Sequence, residues 1–441
     1  MDRRWWAVVC LSVIAVGCGP KRESPTPATA ATQPKTPSGE LETIPGKDQK
    51  LVEIFDQRGE GIGNAAQRGM IFRAFSFAFI NNSKREIAEI SVKLETREWP
   101  SGKLVYACKP GTAKMFSNLA IPYHGSILPN LISTYSIPIR FDLPVGAWRA
   151  DTYDSFTITE VKVFKDGQDL HDFGHLYTKL ANSTSKEAVA LFQSDPTLCT
   201  AASTNNLTAT HAAFATSGEE VITYVLKHGG SIRDRTKTGG TVLDYAPLSP
   251  DTTSLDVAVQ NGGPNYINPV GQTPLQKAVM ARNYDAAKWL LDHGTKPDHE
   301  DQRGDTAATM AITGGRWDIL DLLVSKGADP LRVNVSGYGW MHYAVWNYGM
   351  LPYVAKYLVP VDQTHPPTNL TTPLIFAAQN GRNEVVQWLV AHGANPNAKD
   401  VGGKTGADYS KRANTLGTDS FFWDAVKRGR KEASKAKTAK V

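Results

Sequence analysis

Ten histidines, four cysteines and one glycine-rich run are the features of this 441-residue chain that could do chemistry. A neutral histidine ring binds metals, so His293, Asp298, His299, Glu300 and Asp301 form a candidate ligand cluster. Gly59-Glu60-Gly61-Ile62-Gly63 follows the strand-like run Leu51 to Phe55, where a phosphate-binding loop would stand. Neither pattern completes itself. A dinucleotide fingerprint needs a third glycine where Asn64 stands, and strand pattern from Met70 replaces the helix that should follow, so the run reads as a turn. The acidic histidine cluster reads as a solvated loop. No activated serine, paired-carboxylate or cysteine-histidine arrangement rises above chance spacing, so the sequence predicts no enzyme, no cofactor and no metal site.

The cysteines divide by position. Arg3 and Arg4 precede an apolar run from Trp5 to Val16, too short to span a bilayer as a helix. Ala15-Val16-Gly17-Cys18 resembles the lipobox of bacterial lipoproteins, which implies a leader over residues 1–17 and a lipid on Cys18. That resemblance places the chain in the bacterial cell envelope, and Gly19 after the cysteine points to the outer membrane facing the periplasm. Cys108 and Cys199 then remain in an oxidising compartment, either as a disulfide or as two thiols.

Composition supplies the next layer. Residues 19–49 hold six prolines and five threonines with almost no large apolar side chain, so 18–49 reads as an extended tether. The net charge of +5 concentrates in a basic tail, 427–441, read as disordered, and the body is close to neutral. A near-neutral body argues against nucleic acid as partner. Between about 50 and 170 the pattern has period two: Phe75, Phe77 and Phe79; Ile90, Val92 and Leu94; Tyr135, Ile137, Ile139 and Phe141. Pro138 marks an edge strand, and the parity change from Phe156 and Ile158 to Val161 and Val163 marks a bulge near Thr159. The run predicts an all-β domain resembling an immunoglobulin-like sandwich.

From about residue 175 to 426 one frame recurs. It starts at Thr208, Thr241, Thr273, Thr306, Gly339, Thr372 and Thr405, at intervals of 33, 32, 33, 33, 33 and 33 residues. Thr273-Pro274-Leu275 and Thr372-Pro373-Leu374 are the clearest copies, and frames close on Gly229, Gly262, Gly294, Gly327 and Gly393. This resembles the ankyrin repeat, which implies an all-α solenoid of stacked helix pairs. Threonine would cap each first helix, proline suits its first turn, and glycine would end each second helix. His211 and His342 occupy the motif histidine, and His228, His293 and His392 stand at second-helix ends, where the helix dipole favours them. Pro247 and Pro250 weaken the second frame; Gly349, Pro352 and Pro360 break the fifth.

An ankyrin array implies a binding module, here an envelope adaptor or scaffold for a protein partner. Rival readings are an immunity-like or regulatory lipoprotein occluding an exported toxin or enzyme, and an envelope hydrolase with its site in the β domain. Groove positions by the family pattern are Met280, Thr313, Tyr343, Trp346, Asn347, Gln379 and Asn380, with Tyr338 beside them. Trp346 is either a binding hot spot or a ring that fills the defect of the irregular fifth frame.

Overall fold

The computed structural model describes residues 41–45, 51–64, 70–98, 101–113, 127–131, 133, 139–144, 152–165, 169–364, 370–413 and 420–438. The leader, Cys18 and most of the expected tether lie outside these residues. Among them no helix is long and apolar enough to cross a membrane.

Alternating apolar residues build strands β1 (Leu41–Pro45), β2 (Val52–Asn64), β3 (Met70–Asn81), β4 (Ile87–Glu98), β5 (Leu104–Ala107), β6 (Gly111–Ala113), β7 (Ile139–Pro144) and β8 (Thr152–Phe164). One sheet runs β1-β8-β4-β5, with β6 also on β4, and the other runs β2-β3-β7. Phe75, Phe77 and Phe79 of β3 share one buried cluster with Ile90, Val92 and Leu94 of β4 and Val161 and Val163 of β8. Phe156 crosses between the sheets, meeting Phe75 and Phe77 edge-on at 4.9 and 5.0 Å. The parity change in β8 is a bulge. Ser91 opposes Glu160 and Val92 opposes Ile158, which leaves Thr159 without a partner.

Three expectations are corrected in this region. Residues 41–45 belong to β1, not to the tether, because the exposed edge of β8 offers unpaired backbone that Leu41 to Pro45 satisfies. The glycine run is not a turn: Gly59 to Gly63 continues β2 against β3, with an extra residue between Gly59 and Gly61 that glycine accommodates. The immunoglobulin-like reading is cut back to a strand-rich region of two small sheets, with the first strand beside the last among the described residues.

Helices follow in pairs. α1 (Phe173–Ala181) and α2 (Ser185–Ser194) lead, then α3 (Ala209–Thr216) and α4 (Glu219–Lys227). In the second frame, short 3-10 turns at Val242–Asp244 and Ala246–Leu248 replace the first helix, ahead of α5 (Thr253–Ala258), as its two prolines require. Regular pairs are α6 (Pro274–Met280) with α7 (Tyr284–Asp292), and α8 (Ala307–Thr313) with α9 (Trp317–Ser325). In the fifth frame α10 (Trp340–Ala344) has five residues and α11 (Leu351–Lys356) six. α12 (Pro373–Gln379), α13 (Asn383–Ala391), α14 (Gly406–Ala413) and α15 (Ser420–Thr438) finish the chain.

One apolar cluster runs through the whole array, from Phe173 to Val426, and takes in Leu128 and Leu131 of the β region. The tail expected to be disordered from Lys427 is helical to Thr438. Phe422, Ala425 and Val426 are fully buried, so one face of α15 is held in the core and carries the following turns with it.

Candidate interaction surface

Three frames are started by the side chain of their first threonine. Oγ1 of Thr273, Thr306 and Thr372 accepts the backbone N–H three residues on, at 3.3, 3.2 and 3.2 Å, which starts the first helix. That helix is short and lined with small residues. Arg282, Gly315 and Gly381, all with φ near +60°, reverse the chain into the second helix. The second helices end in a recurring device that spacing alone did not reveal. His228, His293 and His392 donate Nδ1–H to the carbonyls of Tyr224, Trp289 and Trp388 at 2.8, 2.7 and 2.8 Å. The same pairs stack their rings at 3.9, 3.7 and 3.8 Å.

The loop tips between frames are built by residues to which sequence reasoning gave no such role. Asn268, Asp301, Asn334 and Asp400 each use Oδ1 to accept two backbone N–H groups, two and four residues on. Each tip then turns on a glycine at positive φ: Gly271, Gly304, Gly337 and Gly403. Their spacing of 33, 33 and 66 residues was the signal available. These rigid tips hold apolar side chains out into solvent, with Val270 50%, Val335 85% and Val401 66% exposed. Single exposed hydrophobics are ordinary; here three of them stand on turns of the same build.

The groove residues chosen from the family pattern separate into two groups. Met280 is buried, its Sδ 3.8 Å from Gln272 Nε2, and is corrected to a core position within the apolar cluster of the array. Tyr343 is also turned inward: its hydroxyl accepts from Asn334 Nδ2 at 3.0 Å, and burial with the Asp305 carboxylate pushes its pKa far up. That contact ties the half-buried ring to the tip. Trp346, Asn347, Thr313 and Tyr338 are half-buried. Trp346 stands edge-on to Phe376 at 5.7 Å, with the Arg382 guanidinium 5.6 Å from the ring centroid. Tyr338 meets the same Phe376 at 5.4 Å. Phe376, which spacing did not single out, thus joins the fifth and sixth frames. Asn347 Nδ2 reaches the Thr313 carbonyl at 3.5 Å, and Thr313 Oγ1 donates within its own helix. Gln379 is half-buried and Asn380 exposed, at the open end of α12.

The chemical candidates resolve structurally. Cys108 and Cys199 are both buried and free, which corrects the disulfide alternative: they sit in the β cluster and the helical cluster respectively. Burial pushes the Cys108 thiol up to about 11. In the acidic histidine cluster, His299 Nε2 donates to the Gly271 carbonyl, Asp298 accepts the Asp329 N–H, and Glu300 pairs with Arg332. These groups are rungs between successive tips. A cavity of about 260 Å³ in the β region is lined by Ile44, Leu51, Ile87, Val161 and Val163 with Ser83, Lys84 and Arg85 at its margin.

Comparison with known proteins places the array. Models described as ankyrin repeats match residues 251–334 and 354–410. The human SH3 and multiple ankyrin repeat domains protein 2 is 29% identical over 173 residues, covering 38% of this chain and 9% of that protein. The Arabidopsis thaliana potassium channel AKT2/3 is 29% identical over 124 residues, 28% of this chain and 15% of the channel. Inversin from Canis lupus familiaris is 27% identical over 136 residues, 30% of this chain and 13% of its own length. The chain therefore spans a small part of the length of these relatives. The human ASB11 ankyrin repeat domain aligns over 50% of this chain and 97% of that structure, at 21% identity and a TM-score of 0.42.

Proposed function

We propose that this chain, whose C-terminal half carries ankyrin repeats, is a lipid-anchored adaptor of the bacterial envelope that binds a protein partner along its loop tips and first-helix groove. Ankyrin repeats are protein-interaction scaffolds, and stacked frames offer an extended surface rather than a pocket. The observation that carries the reading is the row of exposed Val270, Val335 and Val401 on asparagine- or aspartate-fixed turns, beside the half-buried Tyr338 and Trp346. Rigid turns lose little entropy when a partner covers them, so apolar area there converts efficiently into affinity. The anchor rests on the residues around Cys18. A non-enzymatic role suits the β-region cavity, whose lining is mainly apolar rather than a set of convergent charged groups.

Crosslinking intact cells, followed by capture of the chain and mass spectrometry, tests the partner reading. One exported or envelope protein is expected, recovered from the parent and lost from a Val335→Asp, Val401→Asp double variant of unchanged melting temperature. Equal recovery from both overturns the tip surface. Fractionation with a high-salt wash tests the anchor: Cys18→Ser is expected to leave the membrane fraction, and its retention after the wash overturns lipidation at Cys18.

A further inference from the structure

Helix α15 presents charge on one rigid face. Its inner side is fixed by Phe422, Ala425 and Val426, and by Gly429, where an added Cβ would stand 2.4 Å from the Gln387 carbonyl oxygen. Arg428 Nε donates to Gln387 Oε1 at 2.9 Å, and Gln387 Nε2 donates to Glu432 at 2.5 Å. Those contacts draw one cation and one acid of the helix toward α13. At 3.6 residues per turn, Trp423, Lys427, Arg430 and Ser434 form a stripe about a third of a turn round from the buried side, with Lys431 and Lys435 extending it toward the outermost side. All are exposed, Trp423 by 39%. No ion pair holds Lys427, Arg430, Lys431 or Lys435 among the described residues. Asp424, half-buried one turn into the helix, falls on this face between the directions of Lys431 and Lys435, so the strip carries four cations against one carboxylate.

We propose that this face of α15 lies on an anionic phospholipid bilayer as a contact separate from the lipid at Cys18. Four cations within about 12 Å of helix axis present a dense positive strip, and a strip of this kind adsorbs to negatively charged headgroups within a Debye length. Trp423 begins the strip, and tryptophan is the side chain that prefers the headgroup level, its ring in the apolar boundary and its N–H in water. A straight helix face fits a plane. Nucleic acid asks for more: a groove that follows the phosphates, or several aromatic side chains for stacking, whereas this strip has one tryptophan. The contact would turn the C-terminal end of the array toward the membrane and leave the loop tips free for a protein.

The full chain carrying Cys18→Ser, which has no acylation site but an intact α15, separates this contact from the anchor. It is sedimented with vesicles of phosphatidylcholine alone or with about 30% phosphatidylglycerol, in roughly 0.1 M and 0.5 M salt. Binding to the anionic vesicles is expected to exceed binding to the neutral ones about tenfold or more at low salt and to disappear at high salt. Replacing Lys427, Arg430, Lys431 and Lys435 together by glutamine is expected to abolish the difference with no change in melting temperature, since none of the four packs against the array. Equal binding to both vesicle types, undiminished binding by the glutamine variant, or release from anionic vesicles by duplex DNA at equal phosphate overturns the proposal. Because the lipidated cysteine is absent throughout, none of these results depends on the anchor.

Discussion

His342 Nε2 donates to the carbonyl oxygen of Thr371 at 2.8 Å, while its Nδ1 accepts the Gly339 N–H at 3.1 Å. The neutral ring therefore closes its own helix start and staples the fifth frame to the sixth. Gln276 performs the same task two frames earlier, accepting from the Thr273 N–H at 2.8 Å and donating to the Asp305 carbonyl at 2.7 Å. In both cases the carbonyl belongs to the residue before the next frame's first threonine.

Burial holds His342 and His211 at about 4, below the ordinary value near 6.5, because the charged ring cannot be solvated there. Folding thus favours the neutral form. The stability that these rings contribute is complete above about pH 6.5, declines as pH falls toward 4, and is gone below it, at about 1.4 kcal/mol per pH unit for each ring. His342→Gln, which copies the Gln276 arrangement, should leave stability at pH 7.5 within about 1 kcal/mol of the parent and remove one ring's share of the acid sensitivity. Urea midpoints at pH 7.5 and 5 measure this; an unchanged pH dependence would show that His342 does not titrate in this range.

Leu358 stands at φ +60° after α11, where other frames place glycine, and its side chain is 87% exposed. A left-handed leucine costs about 1–2 kcal/mol, part of which glycine returns as unfolded-state entropy. Leu358→Gly is expected to stabilise the chain by about 0.5–1 kcal/mol. A lower melting temperature would mean that the fifth frame ends differently.

Trp346 is half-buried against Phe376, so its removal exposes part of an interface between frames. Trp346→Ala should cost about 2 kcal/mol of stability and Trp346→Phe less than about 1. If the alanine variant melts like the parent, the ring serves only an external partner, and binding per folded molecule becomes the informative measurement.

Glu86 and His175 join the β region to α1 through a 2.9 Å contact in which both side chains are almost fully buried. The His175 ring also meets Phe164 of β8 edge-on at 5.2 Å. Glu86→Ala removes an acceptor inside this seam and is expected to cost about 2–3 kcal/mol. Calorimetry should then separate the two regions into distinct transitions, where the parent shows stronger coupling. A single unshifted transition would show that the remaining contacts, among them Leu128, Leu131 and the Asn182 hydrogen bond to the Lys84 carbonyl, hold the seam without this pair.

The repeat period, the threonine caps and the closing glycines were legible in the sequence because each is decided within one turn of helix or between adjacent frames. The weak second and fifth frames were legible for the same reason, since Pro247 and Pro352 act on their own backbone. The bulge at Thr159 could be read from the parity of four neighbouring side chains in β8. Other features depend on partners far along the chain. Leu41 to Pro45 becomes a strand only because β8, more than a hundred residues later, offers an open edge. The basic tail becomes a helix only because Phe422 and Val426 find a buried seat beside α13. Met280 and Tyr343 carry groove spacing, yet the apolar cluster of the array buries one and the Asn334 tip ties down the other. Local pattern selects the elements; burial against distant elements decides which of their faces remain available to bind.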